Sequence, residues 1–187
     1  MGTWLWAIFI VAIVVVVGLF VATGIRRHRT EQLRRSFGPE YERTVVRAGD
    51  ELAAESELRE RQARREELEV RPLDAAARKG FEDAWAETQA EFMHDPEAAI
   101  HDADRLIQRV MRDRGYPAED FDDSAAIVSV DHPVVVERYR RAHTIAMANA
   151  DGQPEPDALQ VAMQDYRIVF EELLEDDAAA EDVGATG

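Results

Sequence analysis

Glu91-Phe92-Met93-His94 is a Glu-x-x-His element, a spacing that puts a carboxylate and an imidazole on one helix face. Two such elements, with a Glu from each of two further helices, build a carboxylate-bridged di-iron site inside a helical bundle. The second element is missing, because the residues three before His101 and His143 are Ala98 and Arg140. Glu97, His101 and Asp104 also share one face and have the chemistry to hold a divalent cation. No facing ligand set accompanies them, so a solvated, salt-bridged face is expected, with no metal and no cofactor. His143, one turn after Tyr139 on the apolar side of its helix, has the chemistry of an acid, a base or a pH sensor. Without a Gly-x-Ser-x-Gly element or a phosphate loop nearby, it reads as a hydrogen-bonded structural histidine. Asp131-His132-Pro133 reads as helix initiation rather than a catalytic pair. Trp85, Phe92 and Tyr116 read as core aromatics; Trp85, Tyr116 and His143 are the residues that would line a pocket between helices. No catalytic residue is assigned.

The composition narrows the partners. With 38 acidic and 22 basic side chains the 187-residue chain carries a formal charge of -16, which repels phosphate backbones and excludes a nucleic-acid partner for the acidic part. The absence of cysteine removes disulfides, thiolate metal sites and thiol nucleophiles, and fits a reducing cytoplasm. A chain of this length predicts one globular unit beside any membrane segment.

Such a segment is present. Leu5 to Ile25 holds fourteen Ile, Val, Leu or Phe residues and no charge. At about -0.3 to -0.6 kcal/mol each they favour insertion by about -4 to -8 kcal/mol. A helix over Trp4–Ile25 is about 33 Å long, enough for a hydrocarbon core of about 30 Å, with Trp4 and Trp6 at interfacial positions. A cleaved signal would need a basic start and an Ala-x-Ala-like site. Instead Met1-Gly2-Thr3 is uncharged and Arg26, Arg27, His28 and Arg29 follow the apolar run at once. With Arg34 and Arg35 they place the positive flank after the helix, which predicts an outside N-terminus and a cytoplasmic C-terminal part at the inner membrane. The same arginines suit anionic headgroups, although setting topology alone accounts for them.

The elements that must position the ionisable residues follow. Tyr41, Val45, Ala48 and Leu52 take heptad spacing for only two heptads, too few for a coiled coil. Gly49-Asp50 can end one helix and cap the next. Beyond it, Glu55 with Arg59, Glu57 with Arg61 and Glu60 with Arg64 predict a solvated helical stalk, with a self-associating or partner-binding helix as the alternative. Arg71-Pro72-Leu73 stops the stalk. Asp74 caps a helix carrying Phe81, Trp85 and Phe92, and Asp95-Pro96-Glu97 opens one carrying Ile100, Ala103, Leu106, Ile107, Val110 and Met111 that ends at Gly115. Ala125–Val128 suggests a short helix. Asp131 and Pro133 open a helix with Val136, Tyr139, His143, Ala146 and Met147, and the last runs from about Asp157 through Leu159, Ala162, Met163, Tyr166, Phe170, Leu173 and Leu174.

Phe37-Gly38-Pro39-Glu40-Tyr41, Arg71-Pro72-Leu73, Val110-Met111-Arg112-Asp113-Arg114-Gly115-Tyr116-Pro117 and Val130-Asp131-His132-Pro133 together resemble a family of uncharacterised bacterial single-pass membrane proteins. That resemblance implies an anchor followed by a helical domain and carries no activity with it. The expected fold is all-α: a transmembrane anchor (1–25), a basic juxtamembrane segment and charged helical stalk (26–71), an antiparallel bundle of about four helices (72–175) and an acidic disordered tail (176–187). The expected function is a membrane-tethered, non-enzymatic interaction module whose partners are the bilayer and an unidentified protein, with self-association through the stalk open. The alternative is a small-ligand sensor or enzyme with a pocket between bundle helices.

Overall fold

Three short side chains and three glycines set most helix boundaries. The computed structural model describes Phe20, Gly24, residues 27–150 and residues 155–184, with side chains except at 149, 150, 156 and 176–184. Among the described residues every regular element is helical, and the protein is all-α. A helix over residues 27–37 precedes α1 (Pro39–Ala48), α2 (Glu51–Glu66), α3 (Ala75–Phe92), α4 (Pro96–Arg114), α5 (Phe121–Asp131), α6 (Val136–Ala150) and α7 (Pro156–Gly184). The carboxylates of Asp74, Asp95 and Asp120 accept from the N–H groups of Ala77, Ala98 and Asp123, satisfying donors that a helix start leaves open. Gly38, Gly49 and Gly115 take positive φ between elements, and Tyr116 N–H returns to Met111 O behind Gly115, as in a Schellman end.

The chain divides into two compact units, one up to Ser56 and one from Glu57. In the first, Thr30 donates to Glu55 Oε1, while Arg34 Nη2 (3.1 Å) and Tyr41 Oη (2.9 Å) both donate to Glu51 Oε1. These bonds bring helix 27–37 alongside the start of α2 and bury Leu33, Phe37, Glu40, Tyr41, Thr44, Ala54 and Glu55. The stalk expected over 26–71 is therefore corrected in part: residues 27–56 fold back on one another around Leu33, Phe37, Tyr41 and Ala54, while Val46, Leu52 and most charged side chains stay exposed. In the second unit Arg61 is buried, pairs with Glu57 and donates to Ser129 Oγ (3.2 Å). Arg64 reaches Asp123 (2.8 Å) rather than Glu60. The unit thus begins upstream of Pro72, the boundary that sequence suggested.

Its bundle is made by α3, α4, α6 and α7, with α4 in contact with the other three and α5 packed on α6. Residues 93–95 connect α3 to α4, so the two run antiparallel. Asp104 to Tyr166 and Arg114 to Leu173 join α4 to α7 in the same direction. The predicted stripes meet in one core: Ile100, Ala103, Leu106, Ile107, Val110 and Met111 of α4 are fully buried, and Leu159, Ala162, Met163, Tyr166, Phe170, Leu173 and Leu174 of α7 are buried against them. Trp85 stacks on Phe170 with ring centroids 4.9 Å apart. Met147, expected on the core side of α6, is 46% exposed. Two further expectations are corrected. Asp131 ends α5 instead of opening the next helix, which starts at Val136, and the helix through the acidic tail continues to Gly184. The apolar run Trp4–Ile25 lies outside the described residues except at Phe20 and Gly24. Among the described residues no helix is long and apolar enough to cross a membrane.

Gly115 and Gly80 give opposite tests of the backbone. Gly115 has φ +92°, and a Cβ there would lie 2.5 Å from Glu69 O. Gly115→Ala is expected to cost about 1–3 kcal/mol in urea unfolding. Gly80 lies inside α3 with open space around a Cβ, so Gly80→Ala is expected to stabilise by about 0.5–1 kcal/mol.

Candidate functional site

Asp104 is buried in the apolar stripe of α4 and is the acceptor for three donors. Tyr166 Oη of α7 donates to Oδ1 at 2.7 Å, His143 Nδ1 of α6 lies 3.0 Å from the same oxygen, and Gln108 Nε2 donates to Oδ2 at 2.8 Å. Burial, followed by the charge of Asp104, pushes the Tyr166 phenol far up, so Tyr166 stays a protonated donor. Burial and the same charge raise Tyr139 as well. The Phe121 ring lies parallel to the His143 imidazole, with centroids 3.6 Å apart.

A carboxylate hydrogen-bonded to Nδ1 of an imidazole is the orienting half of a general-base pair. Here the carboxylate also holds a tyrosine and an amide, and one imidazole face is covered by Phe121. Clefts of about 820, 390 and 440 Å³ occur in this unit, and Asp104, His143 and Tyr166 line none of the three. The arrangement ties α4 to α6 and α7. Beside it Asp165, also buried, receives Arg141 through two nitrogens (2.5 and 2.6 Å) and Arg138 at 3.1 Å.

A second carboxylate cluster forms where α2, α4 and α5 end. Asp131 Oδ2 accepts from Arg65 Nε (2.5 Å) and Tyr116 Oη (2.6 Å). Burial, then Asp131, raises the Tyr116 phenol. Arg65 and Arg114 each lie 5.7 Å from the Tyr116 ring centroid, and Arg114 Nη1 donates to Leu173 O at 2.6 Å. Arg71 N–H donates to Arg114 O (2.9 Å), which with the close approach at Gly115 fixes the chain over residues 69–71 against the end of α4. Arg65, Val70, Arg71, Pro72, Arg114, Tyr116 and Asp131 enclose the 390 Å³ cleft. Helix C-termini favour positive side chains, so the Arg65 and Arg114 placements follow from the helix ends themselves.

The residues singled out from sequence are therefore dispersed. Trp85 belongs to the core against Phe170, Tyr116 to the Asp131 cluster and His143 to the Asp104 cluster. They do not form a shared pocket among these clefts. Glu91 and His94 are exposed at the end of α3. Glu97 is exposed, while Asp104 faces inward, so the Glu97, His101 and Asp104 face is not a common ligand set. Among the described residues no group of three or more His, Cys, Asp or Glu side chains could hold a metal ion. Arg27, Arg29, Arg34 and Arg35 are exposed, with Arg34 paired to Glu51 and Arg35 to Glu31; Trp4, Trp6 and Arg26 lie outside the described residues.

Sequence reasoning missed Asp104 as a buried hub, yet its signal was present. Ile100, Asp104, Ile107 and Met111 are spaced 4, 3 and 4 apart, which puts Asp104 in the middle of the apolar stripe. Comparison with known protein families, curated proteins and solved structures finds no match.

All four tyrosines, Tyr41, Tyr116, Tyr139 and Tyr166, are raised above their ordinary value, in each case chiefly by burial. As pH rises past about 10, unfolded tyrosines lose protons that native ones keep, so stability must fall there. Native-state phenolate absorbance is expected to appear only together with loss of helical circular dichroism. Reversible titration of several tyrosines near pH ~10 in the folded protein would contradict these environments.

Proposed function

We propose that this chain is a membrane-tethered, non-enzymatic protein-interaction module. Its apolar Trp4–Ile25 segment serves as a single-pass anchor, with the N-terminus outside and the helical units in the cytoplasm. The observation that carries the non-enzymatic reading is the closure of the buried ionisable groups on one another. Asp104 is held by Tyr166, His143 and Gln108, and Asp165 by Arg138 and Arg141, and none of the three clefts is lined by either carboxylate. An active site needs such groups to converge on space for a substrate.

The anchor reading is supported by the length and apolarity of the N-terminal run and by the arginines that follow it. The pocket reading around Trp85, Tyr116 and His143 is weakened by their separate surroundings. What remains for function is the outer surface, where many charged side chains stand in water.

The tether is tested by lipid partition. The full chain is expected to stay with vesicles through an alkaline wash, while a chain beginning at Arg26 stays in the supernatant with its helical content intact. Equal behaviour of the two would overturn the tether. Capture from detergent-solubilised membranes is expected to enrich a specific protein, this chain or another, with either bait; enrichment of nothing would overturn the interaction reading.

A further inference from the structure

We propose that the groove between α3 and α4 is the contact surface of a weak homodimer of this chain. The proposal deepens the interaction-module reading and rests on it for its biological sense. The groove, about 820 Å³, has a floor of small residues, Ala84, Thr88 and Ala98, and rims of charge. Glu87 and Glu91 occupy the last turns of α3. Arg109 and Arg112 lie near the far end of α4, which runs back from the connection at 93–95. At about 1.5 Å per residue the two pairs are roughly 15–20 Å apart along the groove. Between them, Asp102 and Arg105 pair with each other.

All four outer charges are exposed, and none makes a hydrogen bond or ion pair among the described residues. Most other basic side chains of this unit have a carboxylate within reach, among them Arg61, Arg64, Arg65, Arg138 and Arg141. A groove acidic at one end and basic at the other is its own complement. A two-fold axis across it, in the plane of contact, reverses direction, so the end of one copy that carries Glu87 and Glu91 lies over the end of the other that carries Arg109 and Arg112, twice over. The two acids and two arginines cancel, leaving a locally neutral patch on a chain of formal charge -16. Two copies therefore meet little net repulsion there, and charges elsewhere are screened beyond about 8 Å at physiological ionic strength.

The size sets the strength. A face about 20 Å long and two helices wide covers about 400 Å² per copy, below the about 800 Å² of a standard stable interface. The dimer is thus weak in free solution. Anchoring two copies in one membrane would raise their effective concentration and make such a contact usable.

Sedimentation of the full 187-residue chain in detergent micelles, over a range of protein concentration, tests this. Wild type is expected to dimerise reversibly. Arg109→Glu/Arg112→Glu makes all four outer charges acidic and Glu87→Arg/Glu91→Arg makes all four basic. Each is expected to raise the dissociation constant at least about tenfold while keeping the wild-type circular dichroism and melting temperature, a loss of about 1.4 kcal/mol. An equimolar mixture of the two variants is expected to form a heterodimer at least as tight as wild type. A monomeric wild type, or variants that dimerise like wild type, would overturn the proposal. Capture of a different protein by a monomeric wild-type chain would overturn the dimer and leave the interaction reading standing.

Discussion

A carboxylate buried in an apolar helix face constrains everything packed around it. Removing an ionised group from water costs several kcal/mol unless hydrogen bonds replace the lost solvent. Asp104 therefore requires Tyr166, His143 and Gln108 where they are. Those donors come from α7, α6 and the next turn of α4, so one side chain fixes the rotation of three helices about their axes. The apolar side chains beside it supply most of the burial, but they tolerate repacking more readily than a charge does. Specificity of arrangement and bulk of stabilisation thus come from different residues.

Charge organises the rest of the unit in a related way. Helices that end together expose carbonyls and attract cations, and α2, α4 and α5 end at a cluster where Arg65 and Arg114 flank Tyr116. Guanidinium groups suit that place because they donate in several directions while their planes rest on an aromatic ring. The strapped segment at residues 69–71 completes the cluster, with backbone contact too close for any side chain at Gly115. In an otherwise acidic chain, buried Asp165 draws in Arg138 and Arg141 from the half-exposed side of α6, and buried Arg61 holds Glu57 and Ser129.

Much of the bundle was legible in the sequence. Asp74 and Asp95 announced their helices because a short carboxylate at a helix start has one dominant use, and Gly115 followed by Pro117 announced an end. The apolar stripes of α4 and α7 predicted their buried faces almost residue for residue. Three features were not legible. Asp131 looks like a helix opener in sequence, and only the distant Arg65 and Tyr116 turn it into a helix-end anchor. The stretch from 26 to 71 looked solvated because its apolar residues are few, but contacts between residues apart in sequence, such as Thr30 to Glu55 and Arg61 to Ser129, bury Glu55 and Arg61 among them. The closed state of the Asp104 cluster depends on residues 39 and 62 positions away, beyond any local pattern.

A helical scaffold with carboxylates buried at Asp104 and Asp165 depends on the donors that reach them from neighbouring helices. The claim at its centre is that Asp104 and its donors act as one structural tie. A double-mutant cycle of Asp104→Ala and Tyr166→Phe, read by urea unfolding, tests it most directly. The account predicts a coupling of at least about 1 kcal/mol; additivity within about 0.3–0.5 kcal/mol would contradict it.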